Sequence, residues 1–247
     1  MIKELLIYKI VHNFVDIHGH FYIEVSNIKG VNCLFVSHDR SENFVRLTCD
    51  LESKTPPDTS VAFHPLVPGI IYANLKKGKR TYTHISMNYG KNFSAMKLEK
   101  KNGLCDGGYC NIKLNLPSVI QRNLYFQSKW ISAFDIVDYS TGKVIERYLI
   151  SFDGGQNWKL VPFSYFHVQA LNQGGIVFGF DPKTKKIVYS FDEGKTYYHK
   201  TIYGSNEFGL TSTHTGKFEN SRYIILARDK LNNDLLITRI DFPHIFS

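Results

Sequence analysis

The chain has 247 residues, 43% hydrophobic and 14% aromatic, which is enough to bury a core near the upper size of one domain and excludes a disordered chain. Thirty Lys and Arg against 22 Asp and Glu leave a net charge of +8, but the cations fall in short groups beside turn residues, at 76–80, 97–101 and 183–186. They read as solvated loop tips that attract acidic partners weakly, and not as a nucleic-acid surface.

Within the opening "MIKELLIYKI", Glu4 and Lys9 break the apolar stretch, and no small-residue cleavage site follows, so it is unlike a signal peptide. No apolar run is long enough to span a bilayer as a helix. Targeting and membrane attachment are therefore expected to come from segments outside these residues. Strands are then predicted in chain order at "HFYIEVS" (from His20), "CLFVS" (Cys33), "GIIYANL" (Gly69), "TYTHIS" (Thr81), "RYLIS" (Arg147), "GGIVFGF" (Gly174), "KKIVYS" (Lys185), "YIILARD" (Tyr223) and "DLLITRI" (Asp234). Each is β-branched or aromatic and ends in Gly, Asn, Asp or Pro. Short strands at this spacing specify an all-β sandwich, barrel or propeller. "RNLYFQS", from Arg122, also fits a strand.

A repeated octapeptide selects the propeller. "SHDRSENF" (37–44), "SMNYGKNF" (86–93), "SFDGGQNW" (151–158) and "SFDEGKTY" (190–197) follow one another at intervals of 49, 65 and 39 residues, close to the ~40 to 50 of a four-stranded blade. Ser37, Ser86, Ser151 and Ser190 open the copies. Asp39, Asp153 and Asp192, with Asn88 in the second copy, suit a turn because their side chains accept bonds from N–H groups just ahead. Gly90, Gly155 and Gly194 allow positive φ. Phe44, Phe93, Trp158 and Tyr197 enter the next strand as hydrophobic anchors. Asn88 for Asp and Ser41 for Gly make the second and first copies weaker.

Four cysteines form an even set. Cys105 and Cys110 in "CDGGYC" read as a Gly-rich loop closed by a disulfide. Cys33 and Cys49 flank the turn 39–43, so a hairpin would place them opposite one another if the register allows, and two buried free thiols are the alternative. Loop disulfides imply an oxidising compartment, and "NFS" makes Asn92 a candidate glycosylation acceptor. "HGH" puts His18 and His20 on one face of a strand, where they could hold a metal, but no third ligand is evident and no metal or cofactor is expected. His64, in "FHP", reads as part of a turn.

The octapeptide resembles the Asp-box of sialidases, some glycanases and sortilin-type receptors. The order of box, box, cystine loop, box and box, closing on "EFGLTSTHTG" and "DFPHIF", resembles the later propeller blades of the sortilin family, the vacuolar-protein-sorting-ten domain. That resemblance implies four to five blades over 1–247 out of a ten-bladed ring. It also implies cysteine-rich modules and a membrane anchor elsewhere in the receptor, a lumenal setting in the Golgi–endosomal pathway, and peptide or protein cargo without catalysis. By the same resemblance the histidines would lend cargo release a pH sensitivity. The family's carboxylate-binding arginine precedes residue 1, so no ligand residue is carried over, and Arg40, Arg80 and Arg147 read as solvated. A carbohydrate-active Asp-box propeller is the alternative. It lacks the sialidase arginine motif here, and its acids would have to come from loop residues such as Asp58, Asp135, Asp138 and Asp229.

Overall fold

Strand follows turn along the chain in the computed structural model, which describes residues 8–38, 41–53, 59–78, 80–96, 112–116, 126, 128–138, 145–162, 168–171, 174–181, 184, 186–201, 208–214, 222–229 and 235–242. Two compact units are formed, Met1–Leu160 and Val161–Ser247. No helix among the described residues is long and apolar enough to cross a membrane.

In the first unit, β1 (Tyr8–Ile17), β2 (His20–Asn27), β3 (Asn32–Ser37) and β4 (Val45–Leu51) pair in sequence order, all antiparallel. β5 (Val61–Phe63), β6 (Ile71–Lys77), β7 (Arg80–Ser86) and β8 (Ser94–Ala95) repeat the arrangement, and a single pair, Leu51↔Leu75, joins the two sets at one edge. β9 (Ser132–Asp138), β10 (Ile145–Ser151) and β11 (Lys159–Leu160) form a third set, with Leu114 bridging to Ile136 in the place of a first strand. Phe126, in "RNLYFQS", is buried and bridges to Ser132.

In the second unit, β12 (Gln169–Leu171), β13 (Ile176–Asp181), β14 (Lys186–Ser190) and β15 (Tyr198–Thr201) pair in order, followed by a three-stranded sheet of β16 (Phe208–His214), β17 (Arg222–Asp229) and β18 (Leu235–Asp241). These are antiparallel propeller blades. In all four box-bearing sheets the octapeptide joins the third strand to the fourth.

Alternation decides what each face buries. Across the first sheet Val15, Tyr22 and Val36 are register partners on one face, while Ile23 and Phe35, then Val25 and Cys33, are partners on the other. The first face packs on Val61, Phe63, Ile71, Ala73 and Leu75 of the second sheet. The far side of the second sheet, through Ala62, Tyr72 and Ile85, packs on Leu114, Phe134, Leu149 and Trp158 of the third. In the second unit Phe242, just past β18, completes a core with Ile176, Phe178 and Ile187.

A buried polar seam runs beside these contacts. Asn74 accepts from Thr83 Oγ1 (2.6 Å) and donates to the Leu114 carbonyl (3.1 Å), while Leu114 N donates to Thr83 Oγ1 (2.8 Å). Ser60 Oγ (2.6 Å) and Asn32 Nδ2 (3.2 Å) donate to the Glu52 carbonyl. These polar groups bond one another directly, which keeps the cost of burying them low.

Candidate functional site

The corners show why the octapeptide recurs. In the third box Ser151 Oγ donates to Asp153 Oδ1 (2.8 Å) and accepts from Gly155 N (2.8 Å). Asp153 Oδ1 accepts from Gln156 N and Asn157 N (both 2.9 Å), and Oδ2 accepts from Asn157 Nδ2 (2.7 Å). Trp158 is fully buried, and its indole donates to the Gly155 carbonyl (2.9 Å). Burial would raise the Asp153 pKa, but the donors from Asn157, Ser151 and Gln156 outweigh it and hold the carboxyl below its ordinary value.

The fourth box repeats the wiring, with Ser190 Oγ accepting from Gly194 N (2.9 Å) and Asp192 Oδ1 from Lys195 N (3.0 Å) and Thr196 N (2.8 Å). The Thr196 N–H and hydroxyl lead the donors that pull Asp192 down to about 2.

Two successive left-handed residues turn each of these corners: Tyr89 and Gly90, Gly154 and Gly155, Glu193 and Gly194. The first of each pair carries no sequence signal, since Tyr and Glu occupy it as well as Gly. Ser41 in the first box is not left-handed, and Ser37 Oγ there donates to the Ser41 carbonyl instead of accepting an N–H. Asp39 and Arg40 lie outside the described residues, as do Cys105 and Cys110. Phe44 and Phe93 are half-buried against hydrophobic clusters, and burial, with Asp192 next, pushes Tyr197 up to about 12.

Box glycines also touch the preceding sheet. A Cβ on Gly155 would lie 2.3 Å from the Tyr72 hydroxyl, and one on Gly90 would lie 2.4 Å from Leu47 Cδ1. The octapeptide is thus a self-supporting corner and a docking point between blades.

Cys33 and Cys49 form a disulfide across β3 and β4, where the register shifts between Asn32↔Leu51 and Leu34↔Thr48. This settles the choice that hairpin geometry left open. The two-histidine strand is corrected. His18 (φ 52) and Gly19 (φ 80) are the two-residue turn between Ile17 and His20, a left-handed pair that matches the twist of the flanking strands, so His18 leaves the strand. Its Nε2 contacts the His64 carbonyl (3.0 Å), while His20 stacks edge-on against His38 and Tyr89. Among the described residues no group of three or more His, Cys, Asp or Glu is arranged to hold a metal. His64 lies in a turn, and its Nδ1 accepts from Leu66 N and Val67 N (both 3.1 Å), so that ring nitrogen is unprotonated. Burial, reinforced by His18, lowers its pKa to about 4.

Polar side chains also enter the packing between the first two sheets. Asn13, Val15, Tyr22 and Glu24 of β1 and β2 face Val61 and Phe63 of β5 over Leu34, around a shallow dimple with no enclosed room for even a water molecule. Tyr22 and Phe63 rings lie 4.4 Å apart, and Glu24 is only 5% exposed. Burial, then Tyr89, pushes the Tyr22 phenol up to about 12, so it stays a neutral hydrogen-bonding group. Among the described residues Glu24 is the one carboxylate lining the dimple, without the second that glycoside cleavage needs. Glu24 is a charge at an inward position of the alternating strand "HFYIEVS". Arg80 is exposed, Arg40 and Asp58 lie outside the described residues, and Asp135, Asp138, Arg147 and Asp229 lie on β9, β9, β10 and β17.

A family profile described as Sortilin, neurotensin receptor 3 matches residues 69–206, more than half of the chain. The chain belongs to the sortilin family. Within the match lie the second, third and fourth boxes and the Cys105–Cys110 segment. No curated protein matches this sortilin-family chain.

Among solved structures it is similar to the Niastella koreensis GH74 enzyme (10% identity, TM-score 0.28, covering 94% of this chain and 49% of that one). It is also similar to YCF48 from Cyanidioschyzon merolae (13%, 0.34, 95% and 73%) and an endo-arabinase from Bacteroides thetaiotaomicron (10%, 0.29, 90% and 89%). The chain spans about half the length of the GH74 enzyme. Likeness this distant says nothing of activity. Family membership and the Cys33–Cys49 bond point to the lumenal or extracellular side of a receptor.

Proposed function

We propose that the chain is part of the ligand-binding propeller of a sorting receptor, taking peptide or protein cargo in transit between Golgi and endosomes and catalysing nothing. The family match over 69–206 carries the reading. The remaining blades of a ten-bladed ring, the cysteine-rich modules and the membrane anchor would come from other parts of the same receptor. The second, third and fourth boxes serve as scaffold, because their Ser side chains and the Asp or Asn two residues on are spent on their own turns.

The test pans a random peptide library displayed on phage against the immobilised chain. An enriched peptide and its scrambled sequence are then synthesised and titrated into the chain. Saturable binding of the enriched peptide, and none of the scrambled one, is the expected result. Failure to enrich any sequence, together with release of fluorophore from aryl glycosides, would replace the receptor reading with the glycosidase one.

A further inference from the structure

The second box departs from the others in what it does with its seventh residue. In the third box Asn157 Nδ2 is held by Asp153 Oδ2 at 2.7 Å, and in the fourth the Thr196 hydroxyl bonds Asp192. A carboxylate manages this because one oxygen serves the backbone and the other is left for the side chain.

Asn88 has a single oxygen, already accepting from Ser86 Oγ (3.0 Å) and Asn92 N (3.0 Å). Its other terminal atom is an NH2, which cannot accept from a second amide. Among the described residues the Asn92 side chain makes no hydrogen bond, neither to Asn88 nor elsewhere, and it is exposed. The same Asp-to-Asn exchange that weakens the corner releases the carboxamide beside it.

The two residues after Asn92 give this release a consequence. Phe93 turns inward onto the core between the first two sheets, and Ser94 opens the two-residue strand β8 with its surface exposed. Asn92-Phe93-Ser94 is the chain's one Asn-X-Ser/Thr sequence, X not being Pro. Asn157 and Asn43, at the same box position, are followed by Trp-Lys and Phe-Val and lack the hydroxyl.

We infer that Asn92 is an N-glycan attachment site, the second box having exchanged its side-chain clamp for a modifiable amide. In the transfer, Nδ2 attacks the anomeric carbon of an oligosaccharide carried on a lipid pyrophosphate. The N–C1 bond forms, the C1–O bond breaks, the lipid pyrophosphate leaves with the electron pair, and the amide proton passes to a base on the transferring enzyme. The inference rests on the lumenal part of the functional reading, and the Cys33–Cys49 bond belongs to the same oxidising setting.

The test expresses the whole 247-residue chain behind a cleavable secretory leader in eukaryotic cells, so that compartment is supplied and cargo binding plays no part. Expected are a glycan mass step on the secreted chain, its complete loss in both Asn92→Gln and Ser94→Ala, and its retention in Ser94→Thr. Amidase release in ¹⁸O-water should leave labelled Asp at position 92. Where a variant is not secreted, the label on the parent chain decides alone. A secreted parent chain of bare polypeptide mass, or a mass step that survives Asn92→Gln, overturns the assignment.

Discussion

Gly155→Ala tests whether the box docks one blade on another as well as turning a corner. Gly155 has φ +91°, and a Cβ there would lie 2.3 Å from the Tyr72 hydroxyl and 3.2 Å from its Cζ. The left-handed backbone costs an alanine about 1–2 kcal/mol. Tyr72 cannot swing aside, since it is fully buried among Phe126, Phe134 and Trp158, so overpacking adds roughly 1–3 kcal/mol. The sum is about 2–5 kcal/mol. Gly30→Ala supplies the control, because Gly30 has φ +72° and nothing within 4 Å of its Cβ position, and it should cost only the backbone part, about 1–2 kcal/mol.

Tyr72→Phe removes the colliding atom. That hydroxyl faces Ser132 without a well-formed hydrogen bond, so the single variant should move stability by about 1 kcal/mol or less. In the Tyr72→Phe background Gly155→Ala should become cheaper by roughly 1–2 kcal/mol, a coupling energy between residues of adjacent sheets. Urea unfolding followed by tryptophan emission reads the effect, since Trp130 and Trp158 both lie in the first unit. Equal costs of Gly155→Ala in both backgrounds, or a cost no greater than that of Gly30→Ala, would refute docking through the box glycine.

Asn88→Asp should stabilise the first unit by about 1 kcal/mol at neutral pH, through a new charge-assisted bond from Asn92 Nδ2, read as a raised urea midpoint. His64 has its pKa lowered to about 4 in the fold, so between its ordinary value and about 4 the unfolded chain binds a proton that the folded chain does not. Stability should therefore drop as pH falls through that window, by up to about 3 kcal/mol, and His64→Asn, whose side-chain oxygen still accepts the turn N–H groups, should flatten the pH profile. Replacing Cys33 and Cys49 together by Ala should cost about 2–4 kcal/mol for a crosslink of sequence separation 16, visible as a lower unfolding midpoint in the absence of reductant.

The corners can be read from the sequence because their chemistry is local. A Ser hydroxyl reaching an N–H four residues on, and an Asp oxygen reaching three and four residues on, close within one octapeptide, and their order along the chain marks the blade and the family. The sequon at Asn92 and the inward charge at Glu24 are open to inspection for the same reason. Whatever depends on which strand meets which lies beyond that reach. Cys33 finds Cys49 only through a register shift between β3 and β4, and "HGH" becomes a turn because β1 and β2 pair right up to it. Gly155 needs its missing side chain partly because Tyr72, 83 residues earlier in the chain (155 − 72), occupies that space. Local hydrogen bonds follow from spacing along the chain, whereas contacts between sheets follow from register and packing, which no short stretch of residues encodes alone.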